Sequence, residues 1–489
     1  MVKIKRILFV LFGCFCLCVQ IVPVSAHYDT AYWNETSSSG SHSNWMSRMK
    51  DSTRVSQMSI PGTHDTMAHK ADLLGRDIAR TQSMSLSQQL ESGIRFIDIR
   101  AKYKNTYFQI HHGDANTGYN LDDVLTTTKT FLQNHPTETV FMRFQQENSS
   151  ANDTQMANLF RQYHNKYKQI FWNPYESENS SNPQMKELRG KIVLISDVLS
   201  ITDGLNYRLI NKQDAYDIPN NWELYTKWLH IKNQLNIAKN TGEYNQTIYM
   251  NYLSGSGGVF PYFVASGHAS PGTSSNRLAT GLTEPGFHAY YPDFPRVDWF
   301  GVFATIAFEG TNTLTANWIG GQKPNYVGFI VADFPGERLI KQVIDCNFRN
   351  EISGEKMLYL KAFPNYVVDY NQHDGNVTMW DNNKTVNQKW IFEYDESKNA
   401  YKIRSKVNRN TILAWNDYLG GNNVFTTPDQ SKLEHFWILD KQENGYIIRN
   451  YKNRNLILTV SSSQSPYNSL NMIVRERYAD NKYNVFTIA

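Results

Sequence analysis

Hydrophobic and polar positions follow two different periods over the first 350 residues of the chain. Short apolar runs, typical of strands, are followed by segments in which apolar residues recur every three or four positions, as in amphipathic helices. Predicted strands cover residues 55–60, 95–100, 108–112, 139–144, 191–195, 247–252 and 326–332. Predicted helices cover residues 82–91, 120–134, 153–168 and 222–239. This alternation predicts an α/β fold, an irregular TIM-type barrel of parallel strands, over residues 45–349.

The helical period disappears after residue 349, and an internal repeat replaces it. The segment Tyr401-Lys-Ile-Arg404 recurs 45 positions later as Tyr446-Ile-Ile-Arg449, and a weaker first copy surrounds Val367. Each copy consists of predicted strands and turns and ends on an aromatic and apolar pair. Three such copies over residues 350–489 predict an all-β domain, a β-trefoil.

The first 26 residues have a basic start, a short apolar stretch and the small-residue sequence Val-Ser-Ala. This pattern is typical of a cleaved secretory signal peptide, because the apolar stretch is too short to span a bilayer. We therefore expect a secreted, extracellular protein. Residues 27–44 are rich in serine and polar side chains and predict a flexible leader.

Charge and cysteine content exclude some classes of protein. The formal net charge is +4, and no run of lysine and arginine occurs, so we expect no nucleic-acid partner. Three of the four cysteines lie in the predicted signal peptide, which leaves Cys346 without an intrachain disulfide partner. The mature protein would then depend on core packing for its stability.

The candidate chemistry lies at the carboxyl ends of three predicted strands. His64 and Asp65 follow the first, Asp98 and Arg100 lie at the end of the second, and His112 ends the third. The carboxyl ends of barrel strands meet on one face, so these side chains are expected to converge. Two histidines beside an arginine suit in-line displacement at a phosphodiester: one histidine removes a proton, the other supplies one, and the guanidinium neutralises the phosphoryl oxygens.

Four segments carry a family resemblance: SIPGTHDT at residues 59–66, then FIDIR, HHG and TVFMRFQQEN. In this order and spacing they resemble the bacterial phosphatidylinositol-specific phospholipases C, over residues 45–349. The resemblance implies that His64 is the general base toward the inositol 2-hydroxyl. It also implies that His112, paired with Asp65, is the general acid, that Asp333 orients His64, and that Arg100 binds the phosphate.

The resemblance also implies a reaction without a metal or any other cofactor. In calcium-dependent relatives a metal ion and an acidic residue occupy the place where this sequence has Arg100. The implied products are diacylglycerol and inositol 1,2-cyclic phosphate, formed from membrane phosphatidylinositol by intramolecular phosphoryl transfer. Whether glycosylphosphatidylinositol anchors are also cleaved stays open.

The positions that face the head group depart from the family pattern. Gln145 stands where relatives have a lysine, Asp197 where they have an arginine, and Asn220 and Trp222 where they have an aspartate and a tyrosine. The predicted substrate-binding residues are Asp98, Gln145, Trp222 and Asn220. The reaction type is therefore better defined than the head group.

The C-terminal repeats resemble ricin-B-type lectin modules. The first copy has the Gln-x-Trp signature at Gln388-Lys-Trp390, together with Asp369, Trp380 and Asn387. In the related lectins these positions hold the sugar-binding aspartate, an aromatic platform and an asparagine. The predicted glycan-binding residues are Asp369, Trp380, Asn387 and Gln388. A purely structural trefoil is the alternative.

Membrane contact is predicted for the glycine-rich segment 255–263, which follows a strand end on the expected active-site face. Phe260, Tyr262 and Phe263 would form its apolar tip. The alternative is that these aromatic residues close the core of the barrel.

Two other functional classes remain. A glycerophosphodiesterase or a sphingomyelinase D-type enzyme would share the barrel, but it needs acidic metal ligands such as a Glu-x-Asp pair near the first histidine, and we find none in the sequence. A lectin-type binding protein would need only the trefoil, which leaves His64, Arg100 and His112 without a purpose.

Overall fold

The computed structural model describes residues 30–32, 41–70, 77–241, 246–269, 279–283, 291–300, 303–349, 352–395, 398, 400–442, 445–462, 465–476 and 483–489. The predicted signal peptide at residues 1–26 lies outside them. The predicted flexible leader is wrong for Ala31 and Tyr32, which are buried. Tyr32 forms a backbone bridge with Pro335 and donates to or accepts from His268, so this segment packs against the rest of the chain.

The first part of the chain contains fifteen strands among the described residues. They are β1 (Ile60–Thr63), β2 (Phe96–Tyr103), β3 (Phe108–His112), β4 (Ala115–Asn120), β5 (Val140–Gln146), β6 (Ile192–Ser196), β7 (Leu205–Asn206), β8 (Asn211–Gln213), β9 (Asp217–Ile218), β10 (Tyr249–Tyr252), β11 (Ser256–Gly257), β12 (Ala279–Thr283), β13 (Arg296–Phe300), β14 (Phe303–Ala307) and β15 (Phe329–Ala332).

Eight of these strands form a parallel sheet in the order β7-β6-β5-β2-β1-β15-β10-β8, and the hairpin β3–β4 extends β2 antiparallel. The edge strands β7 and β8 have two and three residues, and no pairing joins them in the part of the chain that the structure describes. The predicted parallel α/β architecture is confirmed, in the form of a sheet that is open between β7 and β8.

Eight α-helices accompany the sheet in the described ranges. They are α1 (Leu86–Glu91), α2 (Leu121–Asn134), α3 (Asp153–Lys166), α4 (Met185–Leu188), α5 (Leu224–Thr241), α6 (Pro261–Ser266), α7 (Thr311–Gln322) and α8 (Glu337–Cys346). The sequence signals at their starts are clear for α2, where the Asn120 side chain accepts a hydrogen bond from the Asp123 amide, as an N-cap does. Short 3-10 helices, such as Trp45–Arg48 and Asn221–Glu223, connect several of these elements.

The first strand differs from its prediction. The strand was predicted at residues 55–60, but residues 55–57 form a 3-10 helix, and β1 begins at Ile60 and runs through Pro61 and Gly62. Gly62 is required here by close packing, since a Cβ at this position would lie 2.8 Å from the Phe96 Cβ in the adjacent strand. His64 still lies one residue beyond the carboxyl end of β1, as predicted.

The C-terminal part is a separate all-β region with its own buried core, which includes Trp390 and Trp437. Its strands are β16 (Gly354–Lys356), β17 (Leu358–Leu360), β18 (Tyr366–Tyr370), β19 (Val377–Asp381), β20 (Trp390–Asp395), β21 (Ala400–Ser405), β22 (Thr411–Trp415), β23 (Val424–Pro428), β24 (Phe436–Gln442), β25 (Gly445–Asn450), β26 (Leu456–Val460), β27 (Leu470–Glu476) and β28 (Phe486–Ile488). They form one antiparallel sheet of 13 strands.

The two parts meet on the side of the parallel sheet where its strands begin. The Tyr394 hydroxyl donates to the Arg48 carbonyl over 3.4 Å, and Lys50 Nζ donates to the Leu439 carbonyl over 3.2 Å. The catalytic candidates lie at the opposite, carboxyl ends of the strands. Within the described ranges, no helix combines the length and apolar character needed to cross a bilayer.

Candidate active site

The parallel sheet brings the predicted catalytic residues together at its carboxyl edge. A cavity of about 390 Å³ opens there, and its lining includes His64, Arg100, His112 and Asp333. These four residues follow β1, β2, β3 and β15, or lie within them. The carboxyl ends of β1, β2 and β15 meet at this edge as expected, whereas β3 is antiparallel to β2 and brings His112 to the cavity from the opposite direction.

His64 is held from both sides of its ring. Its Nδ1 lies 2.8 Å from Asp333 Oδ1, and Arg100 Nη2 donates to its Nε2 over 2.8 Å. A guanidinium has only donors, so Nε2 must accept, and the ring hydrogen must lie on Nδ1, where it is donated to Asp333. Burial, reinforced by Arg100, lowers the pKa of His64 well below its usual value, which keeps the ring neutral.

Asp65 lies between the two histidines. Its Oδ2 is 3.2 Å from His64 Nε2 and 3.3 Å from His112 Nε2, and its Oδ1 is 3.0 Å from Arg100 Nε. Burial raises the pKa of Asp65 to about 6, although Arg100 and His112 oppose the rise. Its backbone has a φ of 41°, in the left-handed region that costs energy for a residue other than glycine. That conformation aims the carboxylate at both rings.

His112 is oriented by the backbone. Its Nδ1 donates to the Ala79 carbonyl over 2.7 Å, so Nε2 is the nitrogen that faces Asp65 and the cavity. The rings of His64 and His112 have their centroids 6.1 Å apart and lie nearly perpendicular. A phosphodiester between them would have one imidazole on each side.

Asp98 supports the arginines and does not reach the substrate space. It is buried, its Oδ2 accepts from Arg100 Nε over 3.1 Å, and its Oδ1 accepts from Arg143 Nη1 over 3.1 Å. Burial alone would raise the pKa of Asp98, but Arg100 and Arg143 hold it well below its usual range. Its predicted role in substrate binding therefore becomes one of positioning Arg100.

Two of the predicted head-group residues lie outside the cavity lining. Asn220 caps the 3-10 helix Asn221–Glu223, and Trp222 packs against Phe308 at 5.6 Å between ring centroids. Gln145, in contrast, lines the cavity as predicted. The structure thus corrects the prediction for Asn220 and Trp222.

Sequence reasoning missed several polar residues of the cavity lining, among them Asp214, Tyr216 and Arg143. The Arg143 guanidinium lies 4.0 Å from the centroid of the Tyr207 ring and forms an ion pair with Asp197 over 2.8 Å. Asp197 stands where relatives have an arginine, and in this structure its charge neutralises Arg143. The sequence held no signal for Asp214 and Tyr216, because they follow β8, whose three residues carry no apolar pattern.

The predicted membrane-contact residues separate into two groups. Phe260 is 53% exposed, whereas Tyr262 and Phe263 are buried in α6. Tyr262 packs against Phe334, and Phe263 against Phe308. Pro261 begins a helix here, which turns the next two aromatic side chains into the core. The prediction is wrong for Tyr262 and Phe263.

The predicted glycan-binding residues are close together in the C-terminal part. The Asp369 carboxylate accepts hydrogen bonds from Asn387 Nδ2 at 2.8 and 2.9 Å and from Gln388 Nε2 at 3.0 Å. Trp380, on the strand paired with that of Asp369, is 37% exposed.

Comparison with known proteins gives two family matches. Residues 58–197 match the family described as "Phosphatidylinositol-specific phospholipase C, X domain", and residues 360–474 match the "Clostridium botulinum HA-17 domain". The first match contains four of the five predicted catalytic residues. The second coincides with most of the all-β region.

Curated relatives align with the first part of the chain. A 1-phosphatidylinositol phosphodiesterase from Listeria monocytogenes is 34% identical over 263 residues, which cover 50% of this chain and 79% of the relative. A protein of the same name from Staphylococcus aureus is 28% identical over 303 residues, 55% of this chain and 90% of the relative. Among solved structures, a phosphatidylinositol-specific phospholipase C from Listeria monocytogenes aligns with a TM-score of 0.47 and 27% identity, over 63% of this chain and 99% of that chain.

Proposed function

This chain belongs to the phosphatidylinositol-specific phospholipase C family, and we propose that it cleaves phosphatidylinositol to diacylglycerol and inositol 1,2-cyclic phosphate. Membership follows from the Listeria relative, of which the chain spans 79% at 34% identity. The observation that carries the proposal is that His64, Arg100 and His112 line one cavity. The Asp333 carboxylate contacts His64 Nδ1, and the Asp65 carboxylate lies between the two histidine rings.

The first proton transfer is assigned to His64. Its Nε2 has the basic electron pair of the ring, since the ring hydrogen is donated from Nδ1 to Asp333. In the resting protein this pair accepts from Arg100 Nη2, which must turn to the phosphate before Nε2 takes a proton. In the reaction Nε2 takes the proton of the inositol 2-hydroxyl, and the oxygen attacks phosphorus. Asp333 then stabilises the imidazolium, because its carboxylate lies 2.8 Å from Nδ1.

Arg100 is assigned to the phosphate. Its guanidinium touches His64 and Asp65 in the resting protein, so it already lies beside the path of attack. A planar fork of donors suits two phosphoryl oxygens and stabilises the charge that develops on them in the transition state. The Asp98 carboxylate holds the Arg100 guanidinium in this position by accepting a hydrogen bond from its Nε.

His112 and Asp65 are assigned to the leaving group. As the bond between phosphorus and the diacylglycerol oxygen breaks, protonated His112 gives its Nε2 proton to that oxygen. Asp65 Oδ2 lies 3.3 Å from this nitrogen, where it can hold the hydrogen that is transferred. One proton enters His64 and one leaves His112, so the enzyme returns to its starting state when these two protons are exchanged with water.

The test of the proposed function is an assay on phosphatidylinositol vesicles with and without EDTA. We expect diacylglycerol and a cyclic inositol phosphate, with the same rate in EDTA, because Arg100 supplies the positive charge that a metal ion would otherwise give. Phosphatidylcholine vesicles are the matched substrate control. Loss of turnover in EDTA with recovery in calcium would contradict the role of Arg100, and no turnover of phosphatidylinositol would contradict the substrate.

Contact with the bilayer is proposed for the exposed aromatic residues near the cavity. Tyr216 lines the cavity and is 64% exposed, and Phe260 precedes Pro261, which also lines it. Since these rings surround the opening through which a lipid head group must enter, they are suited to the membrane interface.

Phe260→Ser is expected to weaken binding to phosphatidylinositol vesicles by about 2 kcal/mol, if roughly 80 Å² of ring surface leaves the bilayer at about 25 cal/mol per Å². Turnover of a soluble short-chain substrate should not change. Phe263→Ser is the matched control: it should lower the free energy of unfolding by about 3–5 kcal/mol, since Phe263 is buried. Equal vesicle affinity of the wild type and Phe260→Ser would contradict the proposed contact.

A β-trefoil is proposed for the all-β region at residues 350–489. Three groups of four strands, β17–β20, β21–β24 and β25–β28, share one pairing scheme, in which the second and third strands form a hairpin. One asparagine from each group joins a closed ring: Asn376, Asn423 and Asn471 donate to one another over 2.7–3.0 Å. Such a ring is expected at a threefold axis.

Glycan binding by this domain is proposed for the first copy, at Trp380 beside the Asp369, Asn387 and Gln388 set. Trp380→Ala should abolish binding to a glycan array and leave the turnover of phosphatidylinositol unchanged, because the aromatic platform is lost. Tyr418→Ala, which removes an exposed ring from the second copy, is the matched control. A wild-type protein that binds no glycan would make the trefoil structural.

The proposed organisation is a signal peptide at residues 1–26, a leader at 27–44, a catalytic domain at 45–349 and the trefoil. Export is proposed from the basic and apolar pattern of the first residues, which is typical of a secretory signal peptide. The new N-terminus of the exported protein, read by mass spectrometry, tests the cleavage site.

A further inference from the structure

Helix α5 places a lysine on the face that packs against the sheet. Its buried positions Leu224, Trp228, Ile231 and Leu235 recur at spacings of three and four, and Lys227 belongs to the same stripe with 2% exposure. A charge in such a position costs free energy unless another group compensates for it. An apolar side chain would serve packing alone better.

The direct hydrogen-bond partner of Lys227 is neutral. Its Nζ donates to Gln213 Oε1 over 3.4 Å. The Gln213 side chain in turn donates to Asn251 Oδ1 and to the Tyr252 carbonyl, each over 2.8 Å. Lys227 is thus fixed against β8 and β10, on the inner side of the helix, by a group that does not balance its charge.

The charges that face Lys227 belong to the catalytic cavity. Asp214, at the end of β8, and Asp333, at the end of β15, both raise its pKa by their negative charge, and both line the cavity. Asp333 is the carboxylate that accepts the Nδ1 hydrogen of His64. The contacts of Lys227 lead to both carboxylates: Gln213, which it binds, precedes Asp214, and Tyr252, whose carbonyl Gln213 binds, is paired with Val331, two residues before Asp333.

The other elements around α5 offer few charges. Asp217, Glu223 and His230 line a small cavity of about 130 Å³ that Lys227 shares on the outer side. The Lys212 ammonium of β8 lies 4.4 Å from the Tyr207 ring centroid. Neither β10 nor α7 contains a charged residue.

We propose that Lys227 is a positioning residue, whose ammonium keeps Asp333 ionised behind His64 and Asp214 ionised in the cavity lining. The proposal rests on the assignment of His64 as the base. An ionised Asp333 accepts from Nδ1 and leaves Nε2 free to take a proton. A protonated Asp333 would donate to Nδ1, and the ring hydrogen would move to Nε2, where it blocks the reaction.

The direction of the pH effect follows from the same charges. Burial raises the pKa of Asp333 well above its usual value, and Arg100 and Lys227 oppose that rise. Burial lowers the pKa of Lys227 to about 7. The ammonium is therefore present below about pH 7 and is lost above it, so its contribution to catalysis falls as the pH rises through neutrality.

Lys227→Met is the test, with kcat/KM on phosphatidylinositol measured from pH 5.5 to 9. We expect the wild type to exceed the variant about tenfold at pH 6 and to approach it at pH 9, where the wild-type lysine is neutral. The ratio removes the titrations that both proteins share. Lys239→Met, on the exposed side of the same helix, should match the wild type at every pH. A ratio that is constant with pH, or equal to one throughout, overturns the proposal.

A second measurement does not depend on activity. The ¹⁵N chemical shifts of the His64 ring, assigned with a His64→Ala variant, report which nitrogen carries the hydrogen. In the wild type the hydrogen should lie on Nδ1 at both pH 6 and pH 9, whereas in Lys227→Met, where no ammonium opposes protonation of Asp333, it should lie on Nε2 at pH 6 and move to Nδ1 as the pH rises. Identical shifts in the two proteins overturn the proposal. If Lys227→Met does not fold, Lys227→Gln replaces it in both measurements. If phosphatidylinositol is not turned over, the proposed function fails, and the ¹⁵N shifts alone decide the role of Lys227.

Discussion

His112→Ala is expected to lower kcat on phosphatidylinositol by about 10²–10⁴-fold, the range typical for loss of a general acid. The ring is half-buried, and its Nδ1 hydrogen bond to Ala79 aims Nε2 at the cavity. Alanine leaves the diacylglycerol oxygen to depart as an alkoxide, which is a poor leaving group. The loss should shrink for a substrate whose leaving group is a nitrophenolate, because that oxygen needs no proton.

His111→Ala is the matched control for this variant. His111 is the preceding residue of the same strand, and its side chain points the opposite way, with Nε2 3.2 Å from Gln109 Oε1. It is absent from the cavity lining, so we expect its removal to leave kcat within about threefold of the wild type. Equal losses in the two variants would mean that the strand, and not the acid at position 112, had been damaged.

His64→Ala is expected to lower kcat by a similar factor of about 10²–10⁴, and Asp333→Asn by less. His64 exchanges the proton itself, whereas Asp333 acts through the 2.8 Å contact with Nδ1. Circular dichroism should show both variants folded. A folded His64→Ala variant with a rate near that of the wild type would reject His64 as the base.

The acid side of the pH–rate profile gives an independent check on His64. The base must be neutral, and burial with Arg100 lowers the pKa of His64 well below 6.5. Activity should therefore persist as the pH falls through 6.5 and decline only at lower values. A decline centred on pH 6.5 in kcat/KM would mean that His64 is exposed to water in the working enzyme.

The sequence by itself identified the proposed catalytic residues, because each is tied to a local signal. His64 and Arg100 lie beyond or within parallel strands, whose carboxyl ends meet at one edge whatever the details of the loops. His112 ends β3, which is antiparallel to β2, so its position depends on the hairpin that returns the chain to that edge. Asp333 was found in the same way, at the end of the last apolar run before α8. The threefold repeat of the C-terminal region was likewise visible in the sequence, since equal spacings need no knowledge of the fold.

Only the tertiary structure decided which polar residues complete the cavity. Asp214 and Tyr216 line the cavity and Asn220 does not, although these three residues lie close together along the chain. The direction in which a loop side chain points depends on backbone angles that are set by contacts with distant strands. Arg143 was missed for a related reason: its partners Asp98 and Asp197 lie 45 and 54 residues away along the chain.

The same reason separates Phe260 from Phe263. Both are phenylalanines in one glycine-rich segment, and hydropathy gives them equal weight. A side chain is buried only if other residues cover it. The residues that cover Phe263, such as Phe308, come from more than 40 residues further along the chain. The sequence therefore identified an apolar segment near the active site, and only the packing of α6 decided that one ring faces water and the next two face the core.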